Sequence, residues 1–202
     1  MGRPREHDEQ TRRTLLAVAG DLLAAEGSGG VSVRRVSQEA GTTTRAVYSL
    51  FGDREGLLRA LYQQAAETMR RHHEAVPENA DPLVEITALT LAYRAAALEE
   101  PNLYGLFMSG AVPGFRPAGD DALLARRSLA RVVEAVQRFA ETGKLPGREP
   151  RAVGRQLWAL VHGLATLELQ GHLGPAEQAE AHWRDAVLAT VTGYLQPPAA
   201  TR

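Results

Sequence analysis

Apolar residues recur at every third or fourth position along nearly the whole chain, and no segment alternates apolar and polar residues as a half-buried strand does. The pattern predicts an all-α fold of nine helices. Glycine-rich turns and prolines separate them, because Gly readily ends a helix and Pro fits its first turn. The predicted helices are one carrying the stripe from Leu15 to Leu23, then 33–40, 44–51, 53–76, 82–99, 101–109, 120–142, 150–170 and 175–195.

Two short helices follow the first one and have the arrangement of a helix-turn-helix. Ser32 can cap the helix over 33–40, Gly41 can end it, and the second short helix covers 44–51. Helices this short do not persist alone, so the first helix is expected to pack behind them. Their small apolar face consists of Val33, Val36, Ala40, Val47, Leu50 and Phe51.

The opposite face of the second short helix is polar. It carries Thr42, Thr43, Thr44, Arg45, Tyr48 and Ser49. Free backbone N–H groups at a helix N-terminus attract phosphate, and Arg45 can form a bidentate pair with guanine O6 and N7. Tyr48 can donate a hydrogen bond to a phosphate oxygen. Taken alone, these residues also fit an ordinary solvated corner between two helices.

Composition narrows the class of protein. Of the 202 residues, 44% are hydrophobic and 23% are charged, which suits a packed core, and the formal charge of −1 excludes a uniformly basic coat. Residues 1–72 carry eleven arginines and nine acidic residues, whereas residues 73–202 carry twelve basic and fifteen acidic ones. This difference points to a phosphate-bearing partner at the N-terminal end. With no cysteine and no apolar run of roughly 18 residues, we expect a cytoplasmic protein without membrane spans.

Catalytic and metal-binding patterns are not found. The six histidines lack the helical pairing beside a carboxylate that metal ligands show. The run from Gly27 to Gly30 has no preceding strand and no following Gly-Lys-Ser/Thr, and no serine lies in a nucleophile elbow. The sequence therefore predicts a protein that is not an enzyme and that has no metal site and no cofactor.

Residues 11–61 resemble the N-terminal domain of the TetR-type, or tetracycline-repressor-like, transcriptional regulators. The matching patterns are Val33-(x)2-Val36-(x)3-Ala40-Gly41-(x)5-Val47-Tyr48-(x)2-Phe51 and Asp53-Arg54-Glu55-(x)-Leu57-Leu58. Gly52 replaces the Pro that often follows the aromatic residue in the family, and Ala46 stands where Thr is common.

The resemblance assigns roles to six side chains. It implies that Ser32 and Tyr48 hold DNA phosphates, and that Arg54, where the family usually has Lys, contacts the DNA backbone. It implies that Thr43, Thr44 and Arg45 enter the major groove. The segment Gly2-Arg3-Pro4-Arg5 is similar to the arms that many members insert into the minor groove, with a solvated terminus as the alternative.

The C-terminal helices predict a homodimer. Residues 156–167 are apolar nearly all round, and a helix of this kind must be covered on several sides. The last helix adds Trp183, Val187, Val191 and Tyr194 at spacings of three and four. Two such helices meeting their copies in a second chain would form a four-helix bundle with twofold symmetry. Gly163 would allow close approach there.

The same helices carry residues that are candidates for lining a small-molecule cavity. Trp158 and His162 are four residues apart and share a helix face. The run Trp158-(x)3-His162-Gly163 resembles a subgroup of the family that carries this Trp–His–Gly signature. Further candidates are Tyr93, Tyr104, Phe107 and Met108. Ordinary core packing is the alternative at each position, and Arg94 and Glu168, which lie in apolar stretches, need partners if buried.

Together these features indicate a homodimeric, ligand-responsive repressor that a largely apolar small-molecule effector releases from a palindromic double-stranded DNA operator. Residues 1–52 would form the DNA-binding domain, and residues 53–202 the ligand-binding and dimerisation domain. The helix that begins at Asp53 would couple the two. The alternatives are a helical module that sequesters a ligand or a protein and keeps a vestigial helix-turn-helix, and an all-α enzyme.

Overall fold

A computed structural model describes residues 4–109 and 115–196, and its regular secondary structure is helical. The described residues form ten α-helices and one 3-10 turn over Gly27–Gly29. The helices are α1 (Pro4–Glu26), α2 (Val33–Glu39), α3 (Thr44–Phe51), α4 (Arg54–Glu74), α5 (Pro82–Glu99), α6 (Pro101–Ser109), α7 (Asp120–Ser128), α8 (Ala130–Glu141), α9 (Pro150–Leu169) and α10 (Ala176–Tyr194). The predicted all-α fold is confirmed.

The predicted number of nine helices is wrong by one, because the segment 120–142 is broken into α7 and α8 at Leu129. No Gly or Pro marks this break. Asp121 of α7 accepts hydrogen bonds from Arg59 and Gln63, both at 3.0 Å, whereas Phe139 of α8 lies in a different hydrophobic core. The two halves therefore pack on separate parts of the molecule, and their packing determines where the helix ends.

The starts of two helices, α10 and α1, differ from the predicted elements. Pro175 precedes α10 as its N-cap instead of occupying the first helical position. Pro4 and Arg5 belong to the first turn of α1. The remainder of the predicted minor-groove arm, Gly2 and Arg3, lies outside the described residues.

The chain divides into two compact units. The first unit comprises the described residues within 1–67 and 100–125, and the second those within 68–99 and 126–202. In the first unit, Leu15 of α1 and the residues Leu57, Leu58 and Leu61 of α4 are fully buried. α1 packs against α2, α3 and α6. The long first helix thus supports the two short ones, as the sequence predicted.

The second unit consists of α5, α8, α9 and α10 with the last turns of α4. Its hydrophobic core includes Leu89, Phe139, Leu157 and Val187. Among the described helices, none has the length and hydropathy of a membrane span.

A half-buried polar cluster joins three helices of the second unit. The guanidinium of Arg94 on α5 is held by Glu168 of α9, with the shortest N–O distance at 2.6 Å. The indole N–H of Trp183 on α10 donates to the same carboxylate at 2.8 Å. Arg94 thus pairs with Glu168 and, at 3.3 Å, with Glu180, and these partners offset the cost of placing largely shielded charges among apolar residues.

Candidate functional site

Local hydrogen bonds fix the geometry of the helix-turn-helix in the first unit. The Ser32 hydroxyl accepts from the backbone N–H of Arg35 at 3.3 Å and caps α2, and the Thr43 hydroxyl accepts from Ala46 at 3.3 Å and caps α3. Gly41 follows α2 with a φ of +63°, which side chains disfavour. The predicted caps at Ser32 and Gly41 are thus confirmed, and Thr43 is a further one.

α3 presents two chemically different faces. Val47 is fully buried in the core of the first unit. Thr43, Thr44, Arg45 and Tyr48 are exposed, and Tyr48 keeps 55% of its surface accessible. The predicted polar face is therefore directed to solvent, where a groove of DNA could reach it.

The arginines near this face differ in their partners. Arg35 pairs with Glu26 and with Glu39, and these carboxylates raise its pKa, so its charge is balanced within the protein. Arg34 and Arg45 are exposed and take part in no ion pair with a described carboxylate. Arg34 was not singled out from the sequence, although its place on the first turn of α2 was a usable signal.

Arg54 has a role inside the first unit. Its Nε donates to the carbonyl of Val31 at 2.7 Å, and its Nη2 donates to the carbonyl of Ser28. Asp53 caps the same helix end by accepting from the backbone N–H of Gly56 at 2.8 Å, as predicted. Arg54 therefore ties the loop before α2 to the start of α4, and its contact with DNA stays a prediction.

The second unit contains two neighbouring cavities between its helices. The outer cavity measures about 350 Å³ and lies between α8 and α9. The inner cavity measures about 70 Å³ and adds residues of α5. Leu129, Val133, Gly154 and Trp158 line both, so the two cavities are adjacent, and together they are called the recess below.

Three of the predicted ligand residues lie in this unit. Tyr93 and Trp158 line the inner cavity, and Trp158 also lines the outer one. The rings of Trp158 and His162 stack with centroids 6.2 Å apart and an interplanar angle of 25°. Trp158 keeps 46% of its surface exposed and His162 is half-buried, so this pair lies at an accessible edge and not in the core.

The other three predicted ligand residues lie in the first unit. Phe107 belongs to its hydrophobic core, where its ring centroid is 5.2 Å from that of Tyr62, and Met108 packs against that core. Tyr104 is buried in the same unit. These three residues are not among the described residues that line the recess, and their contact with a ligand stays a prediction.

Arg151 and Arg155 line the outer cavity and were missed in the sequence. A signal was present, because Arg151, Arg155 and Trp158 are spaced by four and three residues and therefore share one face of a helix.

α9 and α10 also leave apolar surface uncovered. Leu167 on α9 and Leu188 on α10 are large hydrophobic residues, and 54% of Leu188 is exposed. Ala159 is exposed, and a Cβ added to Gly163 would meet nothing within 4 Å. This surface, formed by Ala159, Gly163, Leu167 and Leu188, is called the α9–α10 surface below.

Comparisons with known proteins agree with these features. The family described as "Bacterial regulatory proteins, tetR family" matches residues 15–61. The family "Tetracyclin repressor-like, C-terminal domain" matches residues 86–190, more than half of the chain. The match does not identify the Trp–His–Gly subgroup, which stays a prediction.

Individual relatives point the same way. The HTH-type transcriptional regulatory protein RaaS of Mycobacterium tuberculosis is 26% identical over 181 residues, which cover 86% of this chain and 80% of RaaS. A protein of unknown function from Rhodococcus sp. RHA1 has a TM-score of 0.72 at 26% identity, covering 92% of this chain and 96% of its own. The TetR family regulator PfmR from Thermus thermophilus shares the fold, with a TM-score of 0.74 at 19% identity, covering 88% of this chain and 97% of PfmR. The chain belongs to the TetR family and is a helix-turn-helix transcriptional regulator.

Proposed function

We propose that the protein is a homodimeric repressor that binds a palindromic operator in the cytoplasm and leaves it when a small molecule binds the second unit. The exposed polar face of α3 carries this proposal. A helix with Val47 fully buried on one side and Arg45 and Tyr48 exposed on the other can enter a groove without losing its own packing. The protein acts by binding and carries out no catalysis.

Each DNA-facing side chain has a distinct role in the proposal. Thr43, Thr44 and Arg45 enter the major groove, where Arg45 pairs with a guanine and the threonines contact base edges or phosphates. Ser32, Tyr48 and Arg54 contact phosphates. We add Arg34 as a further phosphate contact, because it is exposed and has no ion-pair partner among the described carboxylates.

The α9–α10 surface supports the homodimer. Its residues are small or apolar, and Leu188 is more than half exposed in the single chain. A symmetric four-helix bundle would remove these side chains from water. Binding to a palindrome requires the two copies of α3 to lie about 34–36 Å apart, one turn of DNA, so that they enter successive major grooves.

The effector would act by shifting the equilibrium between a form of the dimer that binds DNA and a form that does not. Residues 1–52 are proposed as the DNA-binding domain and residues 53–202 as the ligand-binding and dimerisation domain. α4 runs as one helix from Arg54 to Glu74 and has residues in both compact units. A ligand that prefers a form with another spacing of the two α3 helices needs about 5.5 kcal/mol of differential affinity to invert a 1:99 equilibrium.

The test is a fluorescence-anisotropy titration of the intergenic DNA upstream of the protein's own gene. In Arg45→Ala the discrimination at one base pair should fall by about 1–3 kcal/mol. Arg13→Ala is the matched control, because Arg13 is an exposed arginine on α1 outside the proposed contact face. The control should bind like the wild type. Unchanged affinity and base preference in Arg45→Ala would show that the base contact is assigned wrongly.

The sequestering module predicted as the alternative gives a different result in the same assay. It would bind this DNA weakly and without base preference, whereas the repressor binds a palindrome specifically and with strong salt dependence. Sedimentation of the free protein then reports whether it is a dimer.

A further inference from the structure

We propose that the effector is an apolar monocarboxylate of about a dozen non-hydrogen atoms, bound in the recess of the second unit with its carboxylate between Arg151 and Arg155. The inference rests on the proposed ligand-responsive function. It adds the chemical class of the ligand and the orientation in which the ligand lies.

The walls of the recess determine the apolar part of the ligand. Val133 and Val136 of α8 and Trp158 of α9 line the outer cavity, and Leu89 and Leu157 line the inner one. The outer volume of about 350 Å³ falls in the range of small-molecule sites. If each non-hydrogen atom takes about the volume of one liquid water molecule, about 30 Å³, roughly 12 such atoms fill the outer cavity.

The charged residues at the outer cavity determine the polar part of the ligand. Among the described residues that line it, Arg151 and Arg155 are the ionisable ones. Both are exposed, and neither forms an ion pair with a carboxylate among residues 4–109 and 115–196. The neighbouring acid, Glu149, caps α9 by accepting from the backbone N–H groups of Arg151 at 2.9 Å and Ala152 at 2.8 Å. Two arginines thus line an apolar cavity and have no described counter-ion.

The register of α9 allows both arginines to meet one anion. Arg151 and Arg155 lie on successive turns of one helix face, about 6 Å apart along the axis. A planar carboxylate has two oxygens and can accept hydrogen bonds from two guanidinium groups at once. Gln137 of α8 lines the same cavity and adds an amide donor.

The inner end of the recess lacks a comparable anion site. The Thr90 hydroxyl already donates to the carbonyl of Thr87 at 2.7 Å, and the described lining of the inner cavity includes no arginine or lysine. An amphipathic molecule therefore gains most by pointing its apolar end toward Tyr93 and keeping its charged end at Arg151 and Arg155. The reverse orientation would bury the charge.

The recess and the proposed dimer contact use different sides of α9. Gly163 lies about 140° around the helix axis from Trp158, at 100° per residue. A dimer centred on Gly163 therefore leaves the side that carries Trp158 open to a ligand, and Arg155, four residues before Ala159, lies at the border between the recess and the dimer contact.

The test compares two probes of equal chain length, decanoate and 1-decanol, by isothermal calorimetry with the full chain at pH 7.5. Decanoate has 12 non-hydrogen atoms and a charge, and 1-decanol has the same tail without one. We expect decanoate to bind at least about tenfold more tightly, the lower end of what a charge-assisted hydrogen bond contributes.

Three variants locate the site. Arg151→Gln combined with Arg155→Gln should reduce decanoate affinity to that of 1-decanol and leave 1-decanol binding unchanged. Arg184→Gln, which removes an exposed arginine of α10, should retain the preference for decanoate. Gly154→Phe should abolish binding of both probes, because the Cβ position points into open space in the recess. Circular dichroism is the control that checks whether each variant keeps its helices.

The outcomes separate this inference from the proposed function. Equal affinity for both probes in the wild type, absence of binding, or a preference for decanoate that survives in the double arginine variant would overturn the inference. The affinity of the ligand-free protein for operator DNA tests the repressor independently of any probe. Decanoate that binds as expected without releasing the operator would uphold the ligand class and contradict the ligand-responsive mechanism.

Discussion

Glu85 is a carboxylate with no exposed side-chain surface, held between two arginines of α8. Arg131 donates to its Oε1 at 2.8 Å, Arg138 donates to its Oε2 at 2.7 Å, and the backbone N–H of Asn79 adds a bond at 3.3 Å. Burial raises the pKa of Glu85, but the bonds from Arg138 and Arg131 outweigh it, so its pKa lies below the usual range. The side chain is therefore a charged link from the start of α5 to α8.

Replacement of Glu85 by Gln should destabilise the second unit. Arg131 and Arg138 would lose the carboxylate that they share, and breaking a buried pair costs roughly 3–5 kcal/mol. We expect the lower end, about 3 kcal/mol, because Arg138 keeps 37% of its side chain exposed and can be hydrated. Urea unfolding followed by circular dichroism at a fixed protein concentration measures the loss.

The same variant gives a pH test with a defined sign. A carboxylate whose pKa is lowered by folding stabilises the protein above its unfolded pKa, about 4.3, and this contribution disappears as the pH falls through the folded pKa. The difference between wild type and Glu85→Gln should therefore shrink between pH 6 and pH 3. Glu141→Gln, an exposed position on α8, serves as the control and should match the wild type throughout. A difference that does not depend on pH would exclude the charge as the cause.

Single residues also show that the sequence cannot predict which distant side chains pair with each other. Arg94 and Glu168 were recognised as needing partners, because charged groups in apolar stretches are costly to bury. Their pairing across 74 positions, with Trp183 as a second donor, depends on how α5, α9 and α10 pack. Local spacing contains no information on that packing.

At the scale of elements, local chemistry predicted most helix ends. Ser32, Gly41 and Asp53 act where their residue types favour caps, and α3, α5 and α6 have the predicted bounds. The break at Leu129 has no such local cause, so it was missed. Helix ends that come from caps can be predicted from sequence, whereas ends imposed by tertiary packing cannot.

α3 is a short helix, so the loss of one capping hydrogen bond should measurably lower its stability. Thr43→Ala removes the hydroxyl that accepts from Ala46 and should lower stability by about 1 kcal/mol. Thr43→Ser keeps the hydroxyl and should retain nearly all of the stability. Thermal unfolding compares the three proteins, and amide hydrogen exchange shows whether the loss is located in α3. Equal destabilisation in the Ser and Ala variants would assign the effect to the Thr methyl group.

At the scale of the whole molecule, the sequence predicted correctly that the polar face of α3 is exposed and predicted only some of the residues that line the cavity. The candidates Thr43, Thr44, Arg45 and Tyr48 lie within one turn and a half, so their common exposure follows from helical geometry. The cavity is assembled from α5, α8 and α9, which are far apart in the chain. Helical spacing grouped residues within one element but could not assign Phe107 and Trp158 to different compact units.

The α9–α10 surface gives a prediction that involves the whole assembly. Leu188→Arg places a charge where the proposed partner chain would exclude water, and an unpaired buried charge is strongly unfavourable. The variant should sediment as a monomer at micromolar concentration. Its affinity for the full palindrome should fall by about 100-fold or more, because the two half-sites are then bound independently.

Two comparisons make this result specific to dimerisation. Val84→Arg introduces the same charge at a site on α5 that is 51% exposed, and it should remain a dimer with unchanged operator affinity. A DNA containing a single half-site should bind wild type and Leu188→Arg equally, because α3 itself is unaltered. If Leu188→Arg remains dimeric, the partner contact lies elsewhere. If it is monomeric yet binds the palindrome as tightly as the wild type, the pairing of two α3 helices is not what provides operator affinity.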